Sequence, residues 1–322
     1  MNRKILITGG AGFIGSNLIE ALLREGGWQI STVDDFNDFY SPELKRQNVA
    51  RFADNPLFTL YEADIRDVVA MNEVFKEGSF DVVVHLAARA GVRPSLLEPI
   101  LYTETNINGT LVLLECARKF AVQQFVFGSS SSVYGESKNV PFTETADITR
   151  PISPYAATKL AGEALCSTYS HLYGIRTICL RFFTVYGAYQ RPDLAIHKFA
   201  KLIKDGKPIP FYGDGTTRRD YTYIADILLG IRAAIDFDKT MFEAINLGES
   251  QTVELHRLVT LLEENLDKKA IIERLPMQPG DVPQTFADIS KANKLLNYQP
   301  KTKIEDGLKL FVEWFQNFYG LG

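Results

Sequence analysis

The chain has 322 residues, 46% of them hydrophobic and 23% charged, and a formal net charge of −4. That composition excludes a disordered chain and leaves room for one large core or two lobes. With no polybasic run and no long apolar stretch, nucleic acid and membrane are not expected as partners. Neither a signal peptide nor a transmembrane segment is read.

In chain order, apolar runs at 4–8, 29–34, 58–63, 82–85, 124–128 and 177–182 alternate with helical patterns near 14–25, 43–53, 67–77, 100–120 and 155–173. This alternation predicts an α/β protein with a Rossmann-type, doubly wound parallel sheet and ligands at the carboxyl ends of its strands. Beyond residue 185 glycine, proline and turn signals multiply. A helix at 224–236 and a strand at 242–247 are expected to return to the main sheet. Smaller elements are expected at 252–266, 270–275, 290–296 and 303–318. Residues 1–182, with a returning segment near 220–247, then form the first domain, and 183–322 a smaller, interleaved lobe. Cys116, Cys166 and Cys179 lie in apolar surroundings without CxxC spacing, which reads as reduced core thiols of a cytoplasmic protein. His171, His197 and His256 are isolated, and His85 reads as a strand-end cap; no metal site is expected.

Three motifs carry chemistry. The first strand runs into Gly9-Gly-Ala-Gly12-Phe-Ile-Gly15 and then a helix, and Asp34 closes the second strand. Glycines at this spacing permit the tight turn, the close approach of a pyrophosphate and the packing of helix on strand, while the acid accepts from a ribose diol and repels a 2′-phosphate. The expected cofactor is NAD, held by Gly9, Gly12, Gly15 and Asp34. The second motif is Tyr155-Ala-Ala-Thr-Lys159, which puts a phenol and an ammonium one helical turn apart, where the cation would lower the phenol's pKa toward that of a usable base. The third, Ser129-Ser-Ser-Ser132, follows a buried strand and turns hydroxyls toward the same cleft.

With Asp64-Ile65, His85-Leu-Ala-Ala88, Asn106-Ile-Asn-Gly109 and Arg218-Arg-Asp-Tyr221 added, the whole chain resembles the extended short-chain dehydrogenase/reductases, and among them the nucleotide-sugar 4-epimerases. Asp34-Asp-Phe-Asn-Asp-Phe-Tyr40, Ala90-Gly-Val-Arg-Pro94, Arg181-Phe-Phe-Thr-Val-Tyr-Gly187, Arg191-Pro-Asp193 and Gln278-Pro-Gly-Asp-Val282 are similar to the UDP-glucuronate 4-epimerase branch. The resemblance implies Tyr155, Lys159 and Ser130 as catalytic residues. It adds Phe13, Ile14, Asn37, Asp64, Ile65, Leu86, Ala87, Ala88, Asn106 and Phe182 to the cofactor site. Tyr155 would take the proton of the sugar 4-hydroxyl while hydride passes to NAD. The 4-keto sugar would then turn over and be reduced on its opposite face.

Dehydratases and decarboxylases of this kind place an acid in the serine turn, where this chain has Ser132. Serine is a poor acid or base for eliminating water. Ser130, Ser131, Ser132 and Thr184 suit a substrate carboxylate. Glucose-type epimerases carry asparagine at the position of Thr184 and arginine at that of Gln278. The expected substrates are therefore UDP-glucuronate and UDP-galacturonate, with UDP-glucose/UDP-galactose as the alternative, and a decarboxylase or a non-catalytic NAD-binding relative behind it. Arg219 is expected on the diphosphate, Arg191 closing over the nucleotide or sugar, Tyr212 on the uracil and Asp281 on the uridine ribose. Apolar stripes near 100–120 and 155–173, with Leu111, Leu113, Leu114, Leu160, Leu165 and Leu172, are expected to form a homodimer seam.

Overall fold

The computed structural model describes residues 2–277 and 280–320. Six apolar runs of the first half become strands: β1 (Arg3–Thr8), β2 (Trp28–Asp34), β3 (Phe58–Glu62), β4 (Val82–His85), β5 (Gln124–Ser130) and β6 (Arg176–Phe182). The strand Phe242–Leu247 pairs in parallel with β6. Across the sheet the order is Phe242–Leu247, β6, β5, β4, β1, β2, β3. Chain direction across the sheet therefore reverses between β1 and β4, and a crevice opens at such a reversal.

Alternate residues of the central strands feed two cores. Ile5, Ile7, Val82 and Val84 pack beneath the helices Phe13–Glu25 and Ile224–Ile235. Leu6, Val83, Phe125 and Phe127 pack on the other face with Phe75, Leu113, Leu114 and Cys166. Both faces are covered, which is why these strands read as unbroken apolar runs. A third core joins the helices Ala195–Asp205, Leu255–Leu266 and Ile304–Phe318 through Phe199, Leu258 and Phe311. The three cysteines are free and buried.

Two local departures bear on the site. The helix expected over 100–120 is broken into Pro99–Thr103, a π turn Glu104–Asn108 and Gly109–Lys119. The wide turn carries Asn106 to the backbone of Arg89, which its amide both accepts from and donates to. The helix Ala195–Asp205 was not anticipated, although Ile196, Phe199, Ala200 and Ile203 repeat at helical spacing on its buried face. Of the six leucines expected at a dimer seam, Leu113 and Leu114 are fully buried in the core, and Leu165 and Leu160 pack against core clusters. Leu111 and Leu172 remain exposed.

Candidate active site

A cleft of about 500 Å³ lies along the carboxyl ends of the strands. At one end is the glycine turn. Gly9 has φ +72°, and a Cβ there would stand 2.8 Å from the Ala87 nitrogen. A Cβ on Gly15 would stand 2.4 Å from the Gly9 carbonyl oxygen, so turn and helix meet only because no side chain intervenes. Gly12 caps the helix Phe13–Glu25 without a side-chain acceptor, so no side chain competes with an anion for the free N–H groups of that end.

Asp34 is buried at the end of β2. Its Oδ2 accepts from Ala11 N at 3.1 Å and its Oδ1 from Phe36 N at 3.0 Å. Burial raises its pKa, opposed by the nearby Lys45 charge. The same carboxylate thus shapes the loop and keeps lone pairs for a diol. Asn37 lines the cleft but its amide is tied to Asp35 and to Phe39 N. Asp64 is gripped by Arg66, whose Nε lies 2.9 Å from Oδ2. Burial pushes the Asp64 carboxyl up, and the Arg66 guanidinium and backbone N–H more than offset it, holding the pKa below the usual range. Arg66, directly after Asp64-Ile65, belongs to none of the sequence motifs. Phe13, Ile14, Ile65, Leu86, Ala87, Ala88 and Phe182 complete this end of the wall.

Tyr155, Lys159 and the serine turn meet at the middle of the cleft. Ser153 Oγ accepts from Ala156 N at 3.1 Å and Pro154 opens the helix Pro154–Tyr173, so the cap fixes where Tyr155 stands. Ser130 ends β5 and opens the 3-10 turn Ser131–Tyr134. Its Oγ accepts from Ser132 N at 3.2 Å, and its hydroxyl pulls the Tyr155 pKa down against burial. Lys159 Nζ donates to the Gly128 carbonyl at 2.7 Å. It lies 5.9 Å from the Tyr155 ring centroid.

The electrostatics differ from the expectation in one respect. Burial raises the Tyr155 pKa, and the groups that oppose it are the Ser130 hydroxyl and the Arg191 guanidinium; Lys159 is not among them. Lys159 is itself desolvated, its pKa lowered to about 8, and its ammonium is turned to a carbonyl rather than to the phenol oxygen. His85 is held between Thr8 Oγ1 at 2.8 Å and Thr110 Oγ1 at 2.9 Å. Burial, with Lys159 nearby, lowers its pKa to about 3, so it is a neutral brace and not a base.

The far end is built from side chains. Ser131, Ser132, Thr184, Arg191, Arg219 and Asp281 all line the cleft. Ser132 Oγ is buried there without a hydrogen-bond partner. Arg191 makes two bonds to Asp193, at 3.0 and 2.8 Å, and lies 5.1 Å from the Phe39 ring centroid. Arg219 Nη1 donates to the Arg218 carbonyl. Arg93 Nη2 meets Asp281 Oδ2 at 2.5 Å, and its guanidinium covers the Tyr212 ring at 4.3 Å.

Two expected residues are not in the wall. Asn106 stands behind it, with Nδ2 also donating to Thr158 Oγ1 at 3.0 Å, so it braces the π turn against the helix Pro154–Tyr173. Tyr212 is set back beneath Arg93, which takes the face expected to receive a base. Gln278 lies outside the described residues. Among the described residues no cluster of three His, Cys, Asp or Glu side chains could hold a metal, and no helix is long and apolar enough to cross a membrane.

A glycine cradle, a buried acid at the end of β2 and a Tyr-Lys pair at the switch point of a parallel sheet define an extended short-chain dehydrogenase/reductase. The chain belongs to the family described as GDP-mannose 4,6 dehydratase, whose model matches residues 6–311. It is similar to the UDP-glucuronate 4-epimerase of Thermodesulfobacterium geofontis, 44% identical over 96% of this chain and 95% of that protein. Among solved structures it is similar to the UDP-glucuronic acid 4-epimerase from Bacillus cereus in complex with UDP-glucuronic acid and NAD. That match has a TM-score of 0.93 and 38% identity over 98% of this chain and 100% of the other. The Thermotoga maritima UDP-glucose 4-epimerase with UDP-glucose gives a TM-score of 0.89 and 34% identity over 98% and 99%.

Proposed function

We propose that this protein is an NAD-dependent 4-epimerase, an isomerase that interconverts UDP-glucuronate and UDP-galacturonate. The observation that carries the reading is one continuous cleft in which a dinucleotide cradle and an arginine-lined end meet at Tyr155. The relatives just described supply the sugar and the reaction.

The cradle fits NAD: backbone at Gly9, Gly12 and Gly15 can lie against a pyrophosphate, and Asp34 is suited to a ribose diol and hostile to a 2′-phosphate. Lys159 would hold the nicotinamide ribose. When bound, NAD supplies the acceptor and donor of hydride at sugar C4, and in its oxidised form a cation beside Tyr155. Tyr155 removes the proton from the sugar 4-hydroxyl and returns it after the sugar has turned over. Ser130 bonds the same oxygen and steers that proton. Arg219 retains the diphosphate while the keto sugar rotates, since a planar guanidinium bridges phosphate oxygens, and Arg191 closes over the nucleotide or sugar.

A 4-keto uronate is a β-keto acid prone to lose carbon dioxide. The turn offers it neutral hydroxyls from Ser130, Ser131 and Ser132, with Thr184 in the same cleft, and the unpartnered Ser132 Oγ is an open donor for the carboxylate. A homodimer fits the exposed apolar side chains Ile100, Leu111, Leu172 and Tyr173 on or beside the two expected helices. NAD and a UDP-sugar would be the small-molecule partners, in the cytoplasm, with no nucleic acid or membrane involved.

The test offers UDP-glucuronate and UDP-glucose separately, without added NAD, and resolves products by chromatography. The reading expects a UDP-glucuronate/UDP-galacturonate mixture with no net NADH. Equal turnover of UDP-glucose would transfer the assignment to the neutral sugar. A pentose product would make the protein a decarboxylase, and no reaction would leave a non-catalytic relative.

A further inference from the structure

The turn that carries Ser130 is held from behind by a single buried ion pair. Glu163 and Arg181 have side chains only 6% and 3% exposed. Arg181 lies on β6 in register with Ser129, and Glu163 lies on the helix Pro154–Tyr173, one turn beyond Lys159 and two beyond Tyr155. The fork is bidentate: Arg181 Nε to Oε1 at 2.9 Å and Nη2 to Oε2 at 2.8 Å.

The pair also ties down both ends of the serine turn. Ser129 Oγ donates to Glu163 Oε1 at 2.6 Å. Arg181 Nη1 donates to Tyr134 Oη at 2.9 Å, and Tyr134 Oη donates to Asn246 Oδ1 at 2.6 Å. Ser129, the residue before Ser130, is thus bonded directly to the helix of Tyr155, and Tyr134, which ends the turn, is bonded to it through Arg181 on β6.

Stability alone does not explain such a pair, because well-packed apolar residues of similar volume serve a core as well or better. Hydrogen bonds with fixed directions add something packing does not: they set the register of the turn against the helix. That register matters because few groups face the Tyr155 phenol. They are Ser130 from the turn, Arg191 from the substrate lobe, Tyr102 edge-on at 6.3 Å, and Lys159 beneath.

We propose that Glu163 and Arg181 are positioning residues for catalysis, setting Ser130 against Tyr155 without touching substrate or cofactor. The inference rests on the epimerase reading for its kinetic test but not for its spectroscopic one. The experiment compares Glu163→Gln and Ser129→Ala with wild type as NAD-loaded enzymes. It measures kcat and KM for UDP-glucuronate across pH, melting temperature, and the near-ultraviolet titration of the phenolate after subtraction of Tyr155→Phe.

The expected kcat is lower by about tenfold in Glu163→Gln and about threefold in Ser129→Ala, with KM within about twofold. The acid limb of the kcat profile and the phenolate titration move together to higher pH. Lower melting temperatures with an unmoved limb and an unmoved titration would reduce the pair to a structural brace and overturn the proposal. If Glu163→Gln fails to fold, Ser129→Ala decides, since it removes one hydroxyl and leaves the ion pair intact. If wild type epimerises nothing, the functional reading falls while the titration still judges the positioning.

Discussion

The two ends of the cleft are made differently. The end proposed for the cofactor is made of backbone: a glycine turn, a helix end and strand ends, with Asp34 and Gly15 fitted by close approach of main-chain atoms. The end proposed for the sugar nucleotide is made of long side chains from separate segments: Arg191 pairs with Asp193 and lies over Phe39, Asp281 pairs with Arg93, which lies over Tyr212, and Arg219 donates to the Arg218 carbonyl. A backbone site tolerates almost no change of residue, whereas a side-chain site can be retuned to another sugar without disturbing the sheet. That contrast accounts for UDP-glucuronate and UDP-glucose epimerases sharing one architecture.

Mutations can break this contrast where it is sharpest. Tyr155→Phe, at the seam between the two ends, should lower kcat by about a thousandfold while NAD stays bound, read by turnover and by cofactor retained through gel filtration. Gly15→Ala places a methyl 2.4 Å from the Gly9 carbonyl. It should cost about 1–3 kcal/mol of stability and empty the cofactor site, whereas Arg191→Ala should raise KM for the UDP-sugar and leave NAD in place. If the two variants behaved alike, the contrast would be wrong.

The sugar-side frame also buries acids. Glu249 donates its backbone N–H to Asp220 Oδ1 at 2.7 Å, and its own Oε2 has no partner. Burial, with Asp226 and Asp220 beside it, raises the Glu249 pKa from 4.5 to about 8. The folded protein therefore keeps a proton that the unfolded chain releases, and this contribution to stability falls as pH rises from about 5 to about 8. Glu249→Gln should melt roughly 3 °C above wild type at pH 8 and match it at pH 5. An equal shift at both pH values would remove ionisation as the cause. The smallest effect is expected from Arg93→Ala, because its pair with Asp281 is partly exposed. KM should rise no more than about threefold, with kcat unchanged.

Legibility in the sequence followed the same division. The glycine spacing, the acid after β2 and the Tyr-Lys pair are local patterns, and each was placed from its own short segment. Glu163 and Arg181 went unassigned because their meaning lies in a contact between helix and strand, 18 residues apart in sequence. A signal was present: an arginine inside Thr177-Ile-Cys-Leu-Arg-Phe182, an apolar strand, requires a buried partner. Asn106 enters the cofactor set through the family resemblance alone, and the π turn directs its amide to the backbone of Arg89. Lys159 was expected to tune the phenol by spacing alone, and spacing did not reveal the Gly128 carbonyl that engages its ammonium.

The measurement that bears most directly on the account follows a label at the reacting carbon. UDP-glucuronate carrying deuterium at C4 is incubated with the NAD-loaded enzyme in ordinary water, and the product is analysed by mass and position. Deuterium retained at C4 of UDP-galacturonate is the predicted result, because the same hydride leaves and returns within one closed cleft. Loss of the label to water, or its appearance elsewhere on the sugar, would contradict transient oxidation at C4.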